Sequence, residues 1–177
     1  MSIKSINFRL LLIILSSLLC AIVLFKQKEI FHIDELFSFG TANGENGVYI
    51  YKNIEEIDNK LVDGKVFKDY LTQTPNSSFS KMISQLKYDC HMPIYFILLR
   101  AITSFFSPTE FTRTPGVILN LIVLVFLIST FYYLIKRITK DKDLALCSTA
   151  LFCFSPFVIS LEVYIRMYLL QMAMGAV

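Results

Sequence analysis

A chain of 177 residues that is 55% hydrophobic and only 18% charged, with a mean hydropathy of +0.58, is too apolar for a soluble domain of its size. Its apolar runs are long enough to cross hydrocarbon, so the bilayer is its main solvent, and an all-α, polytopic integral membrane protein is expected. The net charge of +3 carries little by itself, and no nucleic-acid partner is expected.

The first apolar run, Phe8 to Phe25, has Arg9 at its inner edge and covers roughly 27 Å as a helix. Lys4 and Arg9 resemble the basic region of a signal peptide. The run is long, however, and no small-residue cleavage site follows, so an uncleaved anchor is expected. Residues 26–91 then form a polar segment with eight Lys/Arg and ten Asp/Glu, punctuated by Asn43-Gly44, Asn46-Gly47 and Asp63-Gly64 turns. Asn76-Ser77-Ser78 is a formal glycosylation sequon, short enough to arise by chance.

Met92 to Phe106 is apolar except for Arg100 at its centre, Thr103 and Ser104. Its length gives about 22 Å, and a mid-membrane arginine costs about 2.5–3.5 kcal/mol, so a helix lying at the interface is expected rather than a span. Pro115 to Ile135 reads as a second span, with proline in the first turn and Asn120 as its one strongly polar residue. A short basic loop with Lys136, Arg137, Lys140 and Lys142 follows. Leu144 to Leu161 is expected as a third span, interrupted by Pro156, and a further helix begins at Val163 and runs to the end of the sequence at Val177. The positive-inside rule places the N-terminus and the loop 136–142 in the cytoplasm. That requires two spans between them and puts the whole of 26–114, with interfacial helices near 30–40 and 92–106, on the outer side together with Glu162.

The four cysteines build no disulfide framework. Cys20, Cys147 and Cys153 lie in apolar runs, and no pair has the two-residue spacing of redox or zinc motifs. Cys90 beside His91 reads as a bystander thiol or as half of a metal site.

Three clusters could carry chemistry. In Ile30–Gly40, helical spacing puts Ile30, Ile33, Leu36 and Phe37 on one face and Asp34, Glu35 and Ser38 on another. This is either an interfacial helix presenting two carboxylates or an ordinary amphipathic helix with a solvated acidic face. Asp89-Cys90-His91-Met92-Pro93 opens the next helix, where amides and an imidazole can hold an anion, or where the residues simply cap. Glu162 and Arg166 stand four residues apart, either as a helical ion pair or as a functional pair near the bilayer surface.

Taken in order, these motifs resemble the GT-C class of membrane glycosyltransferases, which includes the protein O-mannosyltransferases, the aminoarabinose transferases acting on lipid A, and Rgt-like bacterial relatives. The matching residues are the pair Asp34-Glu35 after the first span and His91-Met92-Pro93-Ile94-Tyr95 opening a short helix. Glu110-Phe111 with Arg113 and Pro115 comes next, and then Ser155-Pro156-Phe157 followed by Glu162, Arg166, Met167 and Tyr168. Met92 stands where that class usually has the first of two prolines. The likeness covers about residues 8–177, with no motif in 41–88. It implies transfer of a sugar from a polyprenyl-phosphate donor to a hydroxyl of a lipid, polysaccharide or protein at the outer face of a bacterial plasma membrane. Asp34 would be the base, Glu35 a second catalytic carboxylate, and His91, Asp89, Glu162, Arg166 and Tyr168 the residues for substrate and phosphate. It also implies further spans beyond Val177. No cofactor is obligatory; His32, Asp34, Glu35, Asp89 and His91 could ligate a divalent metal but match no tight ligand motif. The non-enzymatic alternatives are a transporter or flippase, which would place polar or broken helices at mid-membrane, and a structural subunit of a cell-envelope polysaccharide system.

Overall fold

The computed structural model describes residues 8–45, 63–87, 91–106 and 109–177. Asp89 and Cys90 of the second cluster lie outside the described residues. All regular structure among the described residues is helical, in nine segments, and the chain divides into two units.

The first unit comprises the N-terminal segment to Glu29 together with Asn120–Val177. Helix α1, Phe8–Gln27, covers the predicted first span. Its buried residues are Leu10, Ile14, Ser17, Ala21 and Phe25, spaced by three and four so that they share one face. Leu11, Leu12, Leu15, Leu19, Ile22 and Val23 remain exposed on the rest of the cylinder, an arrangement that water penalises and lipid does not. Helix α6, Thr114–Thr139, covers the second span and extends through the basic residues Lys136 and Arg137 in its last turn. Lys140 takes a left-handed conformation (φ 58°) to end it, and Asp141 caps the following helix by accepting from the amides of Asp143 and Leu144. Helices α1 and α6 are long and apolar enough to cross a membrane.

The third predicted span is not one helix. Helix α7, Lys142–Cys153, and helix α8, Pro156–Glu162, are bent by 62° at the break between them, and count as one span only if taken together. Pro156 has no amide to donate and its ring clashes with the carbonyl four residues back, while the Ser155 hydroxyl accepts from the Val158 amide and starts a new helix instead. The helix expected from Val163 is also delayed. Residues 163–167 are not helical, and helix α9 runs only over Tyr168–Gly175. Within this unit α1 packs on α7, and the Phe131 and Phe152 rings of α6 and α7 stack at 4.0 Å.

The second unit, Ile30–Leu119, takes in most of the segment 26–114 expected on the outer side. Helix α2, Ile33–Asn43, packs on α5, Pro93–Phe106, and on two helices that the sequence pattern did not reveal, α3, Gly64–Leu71, and α4, Phe79–Leu86. Their start signals are visible in hindsight. Asp63, read as a turn residue, accepts from the Lys65 amide, and Ser78, read within the sequon, accepts from the Lys81 amide. At Gly40 the Tyr70 ring of α3 lies where a Cβ would stand, so α2 and α3 approach through the missing side chain and Gly40 does not end the helix. Arg100, the anomaly in the apolar run, is buried with its guanidinium donating to the carbonyls of Ala42 (2.8 Å) and Ser77 (3.0 Å). It satisfies a carbonyl at the end of α2 that has no partner within that helix.

Candidate functional sites at two helix ends

In the second unit Asp34 and Glu35 lie at the start of α2. His32 is the N-cap: its Nδ1 accepts from the Asp34 amide at 3.2 Å, and the Glu35 carboxylate reaches back to the His32 amide at 2.8 Å, completing a capping box. This geometry starts the helix at Ile33 rather than Ile30. It also separates the two carboxylates. Glu35 is fully buried and committed to the cap, whereas the Asp34 side chain is 35% exposed, its Oδ2 3.5 Å from His32 Nδ1. The helix therefore does not present two carboxylates together. The face that is buried carries Glu35, Ser38, Phe39 and Ala42, and Ile30 and Ile33 of the expected apolar face are exposed. Phe31, Phe39 and Phe111 form an aromatic cluster in the same unit, with centroids 5.2 to 6.4 Å apart, while Glu110 pairs with Lys68 at 2.9 Å on the surface. His91 precedes α5 with its ring edge-on to Phe96.

In the first unit the site residues lie at the end of α8. Glu162 is the last residue of that helix and is buried, its carboxylate accepting from the Ser17 hydroxyl of α1 at 3.1 Å. The expected helical ion pair with Arg166 does not form. The helix stops between them, and both are buried without bonding to each other. Three consecutive carbonyls at the break are taken by side chains instead. The Asn120 amide of α6 donates to Glu162 O and Tyr164 O, each at 2.9 Å, and Lys28 Nζ donates to Val163 O at 2.8 Å. A carbonyl left unpaired in an apolar interior costs several kcal/mol, so these two side chains make the non-helical stretch affordable. The Tyr164 and Tyr168 rings stack at 6.0 Å, with Lys28 over the face of Tyr164.

Asn120 was visible in the sequence as the one strongly polar residue of its span, without an indication of its task. Ser17 and Lys28 carried no signal, because a serine within an apolar run and a lysine after it are both commonplace. Among the described residues no three His, Cys, Asp or Glu side chains are grouped so as to hold a metal ion. No family model, curated protein or solved structure gives a match to the chain.

Proposed function

We propose that this chain belongs to a multi-pass membrane glycosyltransferase of GT-C type. It would move a sugar from a polyprenyl-phosphate donor to an acceptor hydroxyl at the outer face of a bacterial plasma membrane, with the N-terminus in the cytoplasm. The observation that carries the reading is the division between adjacent carboxylates: Glu35 is spent on the cap of α2, and Asp34 is left accessible beside an imidazole. The ordered motifs point to the same residue. In this mechanism the Asp34 carboxylate takes the proton of the acceptor hydroxyl as its oxygen bonds to the anomeric carbon. The bond from that carbon to the phosphate oxygen breaks, and its electron pair leaves with the polyprenyl phosphate. Glu35 acts as a positioning residue. His91 and Arg166 are assigned to the phosphate charge, and Asp89, Glu162 and Tyr168 to the rest of the substrate. A divalent metal is compatible with the chemistry and not required by it.

The test is transfer from a panel of radiolabelled polyprenyl-phosphate hexoses and pentoses in membranes bearing the intact protein. Asp34→Asn is expected to lower transfer by about 10²- to 10⁴-fold, the range for loss of a general base, with membrane insertion unchanged. Full activity in that variant excludes Asp34 as the base.

A transporter or flippase has one specific observation in its favour. The α7–α8 pair is broken by 62° and ends on a buried carboxylate, as expected of discontinuous helices around a transported ion or substrate. If Glu162→Gln abolishes lipid translocation in vesicles while Asp34→Asn leaves it intact, that reading replaces the first.

A further inference from the structure

Two buried acceptor atoms at the end of α8 have no hydrogen-bond partner: Glu162 Oε2 and Asn120 Oδ1. Glu162 and Asn120 are each 1% exposed. Asn120 is held in this orientation because both of its amide hydrogens are used on the Glu162 and Tyr164 carbonyls, which turns its own oxygen away from them. The Glu162 carboxyl receives a single hydrogen bond, from the neutral Ser17 hydroxyl.

Among the described residues no cation is bonded to the carboxyl. Lys28 spends a hydrogen on Val163 O and sits over the Tyr164 ring. Arg166 makes no bond to the carboxyl. From α7 the buried Cys153 thiol lies close enough to interact electrostatically with Glu162, and it brings no positive charge. Ser17 of α1 and Asn120 of α6 are neutral, and α9 carries no charged residue. An ionised carboxylate here would hold its charge in a buried position with no protein donor at one of its two oxygens, a costly arrangement. Adding one hydrogen to Oε2 removes that charge, and Asn120 Oδ1 is a second buried acceptor on a residue bonded to the same helix end.

We propose that the helix break at Glu162 is a buried proton-binding site in which Glu162 is held as the neutral acid, with the hydrogen on Oε2 and Ser17 and Asn120 as its polar surroundings. The proton site goes beyond the substrate-binding role proposed above for Glu162 and does not depend on it, and its test does not read transfer. The intact protein in lipid vesicles at near-neutral pH is examined by infrared spectroscopy for the C=O stretch of a protonated carboxylic acid. The band is expected in the wild type, is expected to move when glutamate is labelled with carbon-13, and is expected to be lost in Glu162→Gln. Modification of wild-type Glu162 by a hydrophobic carbodiimide, located by mass spectrometry, needs no variant and so covers the case in which Glu162→Gln fails to fold. The absence of both the band and the modification overturns the proposal. A band that survives in a folded Glu162→Gln variant assigns the proton elsewhere and overturns it too.

Discussion

Arg100 occupies the centre of an apolar helix, where a guanidinium facing lipid would be costly. Its two bonds to Ala42 O and Ser77 O turn it inward, and burial pushes its pKa down through desolvation. Arg100→Met removes both donors and leaves two carbonyls to find new partners. At about 1.5–3 kcal/mol for a hydrogen bond to a charged group, discounted for relaxation, the second unit should lose roughly 2–4 kcal/mol. Limited proteolysis in membranes should show faster cleavage between residues 63 and 87, and unchanged resistance would mean that Arg100 is not a structural anchor. The same scale separates Asp34 from Glu35. The two are adjacent in sequence and equal in charge, and they differ in where the capping box sends one of them.

At the scale of elements, helix α2 depends on a close approach. A Cβ at Gly40 would overlap the Tyr70 ring, and Tyr70 is itself buried. Gly40→Ala forces the ring to move, at a cost of about 1–3 kcal/mol for overpacking. Combining it with Tyr70→Leu should cost less than the sum of the two single changes, measured as thermal midpoints in detergent. Strict additivity would show that the helices do not meet there. The two breaks after α7 use different chemistry: Pro156 and the Ser155 cap set the α7–α8 bend, and Asn120 and Lys28 satisfy the carbonyls exposed after α8.

At the scale of the molecule, α1 and α6 are long and apolar enough to cross a membrane, and the basic residues after α6 predict which way they run. In a background with Cys20, Cys90, Cys147 and Cys153 replaced, single cysteines at the exposed positions Ile30, Lys65 and Lys140 report the sides. A membrane-impermeant thiol reagent applied to intact cells is expected to label positions 30 and 65 and to spare 140. Ser38, by contrast, is buried and would be a poor probe. Labelling at 140 with protection at 30 would invert the topology and remove Asp34 from the outer face.

The long apolar helices and the polar segment between them were legible in the sequence, because apolar length and clustered charge act locally and need no partner. Pro115 and Pro156 likewise mark a helix start and a helix interruption by chemistry confined to their own turns. Three features had no local signal. Helices α3 and α4 are short and weakly patterned, and they pack against α2. The burial of Glu35 rather than Asp34 depends on which face of α2 meets its neighbours. The non-helical stretch after Glu162 depends on Asn120, more than 40 residues away in sequence, and on Lys28, 135 residues away. Hydrophobicity along the chain determined which segments leave water; only the tertiary structure decided which polar groups inside them find partners, because those partners come from distant parts of the sequence.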